Sequence, residues 1–278
     1  MRDSRMKIGI IGYGNMGSAI AERIKDDYKV FVFDKDKNKT RDSKGVQVTA
    51  DIESLAKEAD VVVVAVKPQE IDGALKSIKQ RINNVVVISI AAGIPTAHIE
   101  KMLGNARVIR VMPNLGAKIG ESVSCLCRGK FATDEDLVFA QELFYNLGVT
   151  KEIPQDLMNA ATAISGSGPA YIFDFFETQN FDSQNISDHA RHDMIKRLKS
   201  AAESVGFNAE DASFLAVNTC NCALALLKKT KVSPSELRAQ VTSKGGTTEA
   251  ALAVIHKGGS WVEAAQAALK RAEELAKS

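Results

Sequence analysis

Apolar and polar positions change rhythm about halfway along this chain. In the first half, short apolar runs at residues 7–11, 30–33, 61–66, 85–90 and 107–111 alternate with stretches of helical spacing such as 52–58 and 71–82. Runs of this kind read as strands buried on both faces, and their alternation with helices predicts an open parallel sheet covered by helices. From about Met158 the strand rhythm stops and alanine-rich helical spacing takes over. The pattern predicts an α/β domain over residues 1–157 and an all-helical domain over 158–278.

One segment of the helical half breaks its own rhythm. Ile172, Phe175 and Phe176 begin an apolar stripe, polar residues follow from Gln179 to Arg197, and apolar spacing resumes at Leu198, Ala201, Ala202 and Val205. Joined directly, the two flanks form the stripe of a single amphipathic helix. Each helical residue turns the chain by about 100°, so an insert of this length would leave the second flank roughly 100° out of phase. Asn180, Asp182, Ser183, Asn185, Ser187 and Asp188 are also poor helix-interior residues. The reading is therefore an exposed excursion at 179–197, inserted between the halves of one helix. Asp188, His189, His192 and Asp193 are residue types that bind metals, but a solvated loop is the better reading, and no metal site is expected.

Composition narrows the partners. With 278 residues, 45% of them apolar and 25% charged, the chain can bury two modest cores. Thirty-six basic residues against 34 acidic ones leave a net charge of +2, which is no footprint for a phosphate backbone, so nucleic acid is not an expected partner. No apolar run approaches the ~20 residues of a membrane span. The residues before the first strand are charged and lack the apolar core of a secretory signal, so a cytoplasmic protein is expected. The cysteines fall as Cys125-x-Cys127 and Cys220-x-Cys222, too close for a zinc knuckle, and read as buried reduced thiols.

Candidate chemistry begins at Gly12-Tyr-Gly14-Asn15-Met16-Gly17, directly after the first strand and opening a helix. Gly12 permits the tight turn, Gly14 lets backbone approach a pyrophosphate, and Gly17 lets the helix pack on the strand. The second strand ends on Asp34, placed to accept hydrogen bonds from an adenosine ribose, which favours NADH. Lys35, Lys37, Lys39 and Arg41 follow and can neutralise a 2′-phosphate, so NADPH or NADH remains open. The loops after the next three strands carry Val66-Lys67-Pro68-Gln69, Ala91-Ala92-Gly93 and Met112-Pro113-Asn114, and in an open parallel sheet such loops converge on a ligand crevice. In the helical half, Ser165-Gly166-Ser167-Gly168-Pro169 and Thr242-Ser243-Lys244-Gly245-Gly246-Thr247-Thr248 each place glycines and hydroxyls before a helix. Together they read as an anion site of main-chain N–H groups and hydroxyls, sized for a small carboxylate.

Six motifs in order, Ile11-Gly-Tyr-Gly-Asn-Met-Gly17, Val66-Lys-Pro-Gln69, Ile90-Ala-Ala-Gly-Ile94, Arg110-Val-Met-Pro-Asn114, Thr162-Ala-Ile-Ser-Gly-Ser-Gly-Pro-Ala-Tyr171 and Leu237-Arg-Ala-Gln-Val-Thr-Ser-Lys-Gly-Gly-Thr-Thr248, resemble the pyrroline-5-carboxylate reductase family across nearly the whole chain. The resemblance implies a Rossmann-type dinucleotide-binding domain followed by an all-helical dimerisation domain. It also implies reduction of the cyclic imine 1-pyrroline-5-carboxylate to L-proline, the last step of proline biosynthesis, by a homodimer or higher homo-oligomer. By position, Gly12–Gly17 and Lys67–Gln69 would contact the cofactor, Gly166–Gly168 would lie against substrate, and Thr248 would hydrogen-bond the substrate nitrogen. Lys244 stands where the family has proline, and Leu115-Gly116 where it has Thr-Pro. A protonated ring imine is already electrophilic, so positioning rather than a strong acid is the main requirement, and His98, His189, His192 and His256 read as surface residues. A reductase of hydroxy acids or of another imine, and a catalytically silent dinucleotide-binding protein, are the alternatives.

Overall fold

The computed structural model describes residues 6–82, 85–179 and 186–277. Its contacts divide the chain into two compact units: residues up to Val111 with Leu126–Gln155, and Met112–Cys125 with the residues from Asp156 onward.

The strands are β1 (Lys7–Ile11), β2 (Lys29–Phe33), β3 (Gln47–Val48), β4 (Val61–Val64), β5 (Val86–Ser89), β6 (Arg107–Met112), β7 (Ser122–Arg128) and β8 (Gly148–Glu152), in one sheet ordered β3-β2-β1-β4-β5-β6-β7-β8. The pairs from β3 to β6 are parallel; β1 sets Gly9 against Phe31 on one side and Val62 on the other. The five apolar runs read from the sequence are the five central strands, each within two residues of its expected ends. Val62, Val63, Val64, Val87 and Ile88 are fully buried, because helices cover both faces of the sheet. Helices α1 (Asn15–Ile24), α2 (Ile52–Glu58), α3 (Ile71–Ile78), α4 (Thr96–Leu103) and α5 (Asp134–Tyr145) belong to this unit. Leu55 of α2, Leu75 and Ile78 of α3 and Ile99 of α4 pack with Val62, Val64 and Val87 in one core.

Several helices start on a side chain. Asp51 accepts from Ser54 N at the head of α2, and Thr133 with Asp136 forms a reciprocal capping box at the head of α5. Helix α1 is different: Gly14 is its N-cap and no side chain satisfies its first N–H groups.

The second unit is helical apart from its share of β6 and β7: α6 (Met158–Ala161), a π-helical turn (Thr162–Gly166), α7 (Gly168–Thr178), α8 (Asp188–Ser204), α9 (Ala209–Thr230), α10 (Pro234–Val241), α11 (Thr247–Ile255) and α12 (Trp261–Lys277). Helix α8 packs on α9 and α12, while α7 packs on α9 and α10. Among the described residues no helix is long and apolar enough to cross a membrane.

The expected excursion at 179–197 is corrected here. Residues 188–197 are helical, forming the first half of α8, and Ala190 and Met194 are buried. They extend the stripe of Leu198, Ala201 and Ala202 backwards at helical spacing, with Ser187 accepting from Ala190 N as the cap. As the phase argument requires, the segment does not simply lengthen one helix: the chain ends α7 at Thr178 and starts a new helix, whose first half is part of the segment expected to be a loop. Asn180, Asp182, Ser183 and Asn185 lie outside the described residues. Asp188, His189, His192 and Asp193 are on α8, with Asp193 paired to Arg197 at 2.7 Å, and among the described residues no three metal-ligating side chains gather.

Candidate functional site

In the first unit the glycine turn is built as the sequence predicts. Gly12 N donates to Phe33 O at 2.8 Å and Ala65 N to Ile11 O at 2.8 Å, which sets the turn between the ends of β2 and β4. This is where the strand order reverses, the place an open α/β sheet offers to a ligand. Gly12 has φ +97°, and a methyl there would stand 2.6 Å from Ala65 O. A methyl on Gly17 would stand 1.9 Å from Gly12 O, so strand and helix touch backbone to backbone. A methyl on Gly14 would meet nothing within 4 Å. That open space, in front of the uncapped N–H groups of α1 beside Asn15 and Met16, fits a pyrophosphate, and it is the observation by which these residues suit a dinucleotide.

Asp34, almost fully buried, closes one side of this turn. Its carboxylate accepts from Tyr13 N at 2.8 Å and from Asp36 N at 2.9 Å, and Lys39 Nζ lies 3.3 Å from both oxygens. Burial pushes the Asp34 pKa up, but the backbone donors and Lys39 outweigh it and hold the carboxyl below its ordinary value. Lys35, also expected at the cofactor, pairs with Glu70, which follows Lys67-Pro68-Gln69 in a short 3₁₀ turn. Val66 precedes that turn. The Ala92 and Gly93 loop follows β5, whose neighbour Ile90 N donates to Val64 O at 3.1 Å, so the loops after β4 and β5 emerge side by side.

Pro113 and Asn114 fall in the second unit, where the Asn114 side chain bonds to the surrounding backbone. Its amide Nδ2 donates to Ser165 O at 3.0 Å, and its Oδ1 accepts from Gly116 N at 3.1 Å and Val123 N at 3.2 Å. The side chain ties the 112–125 segment to the π-helical turn. Gly116, one of the departures from the family pattern, is also explained: a methyl there would lie 2.6 Å from Cys222 Sγ and 2.4 Å from Glu121 O. Cys222 takes that space, and burial pushes its thiol up to about 12.

The two glycine-rich motifs of the helical half differ from each other. Ser165-Gly166-Ser167-Gly168 is not a loop before a helix. It runs through the π-helical turn into α7, with Ser167 N bonded to Thr162 O, so its main-chain donors serve the helix and the expected main-chain anion cradle is absent at this motif. A π-turn is a frequent mark of functional sites because it redirects side chains. Here it aims the buried Ser167 hydroxyl at Thr248 and Thr247, each 3.0 Å away. The second motif does form a true helix start. Gly246 is the N-cap of α11, Gly246 N donates to Ser243 O and Gly245 N to Glu249, which leaves the N–H groups of Thr247 and Thr248 without partners inside the helix. Gly245 has φ +70°, its carbonyl accepts from Arg271 Nε at 2.7 Å, and Lys244 beside it is exposed. The loop therefore draws its shape from Gly245 and Arg271 without needing a proline.

Two features carried no signal in the sequence. Asp174, buried in α7, binds Arg238 of α10 at 2.5 Å and His256 after α11 at 2.7 Å, so His256 has a structural partner despite its exposure. Thr219 of α9 packs its methyl group against Gly168, and its hydroxyl is buried without a hydrogen-bond partner.

Residues 192–275 match the profile described as pyrroline-5-carboxylate reductase dimerisation, and residues 7–93 match the one described as NADP oxidoreductase coenzyme F420-dependent. A pyrroline-5-carboxylate reductase of Methanosarcina acetivorans is 34% identical over 98% of both chains. The chain belongs to the pyrroline-5-carboxylate reductase family. The family member of Arabidopsis thaliana is 33% identical, over 98% of this chain and 96% of its own. Among solved structures, a Coxiella burnetii pyrroline-5-carboxylate reductase aligns with TM-score 0.66 and 30% identity over 99% of this chain and 100% of its own. A Plasmodium falciparum pyrroline carboxylate reductase with NADP bound aligns with TM-score 0.64 and 27% identity, over 98% of each chain.

Proposed function

We propose that this protein reduces 1-pyrroline-5-carboxylate to L-proline with NADPH or NADH, acting as a homodimer or higher homo-oligomer in the cytoplasm, with a small molecule rather than nucleic acid as its partner. The observation that carries the reading is the hydroxyl cluster of Ser167, Thr247 and Thr248 at the uncapped start of α11, in a chain of this family.

When bound, the nicotinamide cofactor supplies a hydride to the imine carbon, and the residues of this chain do the rest. Gly12, Gly14 and Gly17 leave room for the pyrophosphate, and the N–H groups of Asn15 and Met16 at the head of α1 are oriented towards its charge. Thr247 N and Thr248 N offer the same kind of site to the substrate carboxylate, flanked by Gly245, Gly246 and the Ser243 hydroxyl. Thr248 Oγ1 donates its own proton to Ser167 Oγ, which leaves the Thr248 oxygen free to accept from the N–H of a protonated imine. Ser167 in turn can donate to Thr247, so the hydroxyls are ordered before substrate arrives. Gly166 lies against the ring and carries no side chain to crowd it, while Gly168 places Ser167 by letting α7 pack closely on Thr219 and Leu198. No group in the cluster is a strong acid, which suits a substrate that brings its own proton.

The test is loss of nicotinamide absorbance when the purified protein meets pyrroline-5-carboxylate, with NADPH and NADH in parallel. Turnover that forms proline is expected. A folded, cofactor-binding protein that leaves both cofactors oxidised at the rate of a protein-free control overturns the reading.

A further inference from the structure

The four basic residues after Asp34 are not equivalent, although their spacing in the sequence does not separate them. Lys35 is turned to Glu70. Lys39 alone is seated on the Asp34 carboxylate, equidistant from its two oxygens at 3.3 Å. It is held there by a preformed turn: Asp36 caps residues Lys37–Lys39 by accepting from Asn38 N, and Lys39 N donates back to Asp36 O at 3.1 Å. The carboxylate is buried while the lysine side chain is 44% exposed, so the lysine can move and the carboxylate cannot. Each Asp34 oxygen already takes one backbone N–H, from Asp36 or from Tyr13 of the glycine turn, which fixes the carboxylate to the cofactor site.

We propose that Lys39 is a movable counter-charge that lets one site accept both NADH and NADPH; this deepens the reading above and rests on it. Facing NADH, Lys39 slides off the two lone-pair positions it straddles on Asp34, which then accept the ribose hydroxyls, and stays close enough to balance the carboxylate's charge. Facing a 2′-phosphate, Lys39 swings from Asp34 to the phosphate, pairing with it and screening it from the carboxylate. Without Lys39 the carboxylate stands bare, and a 2′-phosphate would meet an uncompensated like charge in a partly buried site.

The test measures equilibrium dissociation constants of NADPH and NADH by cofactor fluorescence on the whole protein, for the wild type, Lys39→Met and Asp34→Asn, with thermal midpoints as a check on folding. Lys39→Met is expected to raise the NADPH-to-NADH ratio of dissociation constants by about tenfold or more, and Asp34→Asn to lower it by a similar factor. Raising salt should weaken NADPH relative to NADH in the wild type and lose that effect in Lys39→Met. A ratio unchanged in Lys39→Met, with both cofactors still bound, overturns the counter-charge role and leaves the dinucleotide site standing. A folded wild type that binds neither cofactor overturns both.

Discussion

Gly14 and Gly17 stand three residues apart in one turn, yet the structure assigns them opposite sensitivities to an added methyl. At Gly14 the backbone (φ −79°, ψ −163°) is open to any residue, and a methyl meets nothing within 4 Å. Alanine gains about 0.4–1 kcal/mol from a stiffer unfolded chain. It loses about as much as an N-cap, where glycine outranks it. The two nearly cancel, so Gly14→Ala is expected to move the thermal midpoint of the cofactor-free protein by less than about 2 °C. The same methyl fills the space in front of the α1 N–H groups, and cofactor affinity should fall by about tenfold or more, near 1.4 kcal/mol. At Gly17 the methyl lies 1.9 Å from Gly12 O, against the ~3.3 Å of a close C···O contact, so strand and helix must part by more than 1 Å. Backbone cannot rotate away as a side chain can, and Gly17→Ala should cost roughly 1–3 kcal/mol of stability in addition to the cofactor. Differential scanning fluorimetry and a fluorescence titration with NADPH separate the two effects. A Gly14→Ala protein that binds NADPH like the wild type, or melts many degrees lower without it, refutes the assignment of the open space to the pyrophosphate.

Other outcomes follow from burial. Thr219→Val replaces a buried unpartnered hydroxyl by a methyl of the same shape and should raise the midpoint by about 2 °C, from roughly 1 kcal/mol; a fall would show that the hydroxyl has a partner. Burial pushes the Cys127 and Cys220 thiols up to about 11 and Cys222 to about 12. Thiolate, the reactive form, predominates only above these values, and Cys125 is buried as well, so near pH ~8 a disulfide reagent should label none of the four cysteines in the folded protein and all four in denaturant. Rapid labelling of the native state would contradict that burial. Deleting residues 179–197 removes Ala190 and Met194 from the packing of α8 on α9 and α12, and the midpoint should drop by about 5 °C or more. An unchanged midpoint would show that this half of α8 contributes nothing to stability.

The central strands were legible because a sheet covered on both faces leaves unbroken valine and isoleucine runs, as at Val61–Val64. β7 was not, because Ser122, Ser124, Cys125 and Cys127 are small or polar residues whose burial depends on neighbours such as Asn114. β8 is half exposed and β3 only two residues long, so neither has a pattern to read. The glycine turn could be read in full, since its function depends on missing side chains. The hydroxyl cluster was legible by residue type but not by partner: Ser167 and Thr248 are 81 positions apart, and only the π-helical turn brings them together. Asn114 was legible as a motif residue, but its bonds to Ser165, Gly116 and Val123 were not, because those partners lie on separate segments of the chain.

Helix α8 carries its own start signal in Ser187, and this separates it from whatever precedes it. In a continuous helix every added residue rotates all that follow, so length is under strict control. A helix that restarts on a local cap sets its own azimuth, and the direction in which Met194 and Leu198 point no longer depends on how many residues lie before Ser187. A short peptide inserted immediately before Ser187 is therefore expected to leave the register of α8 unchanged.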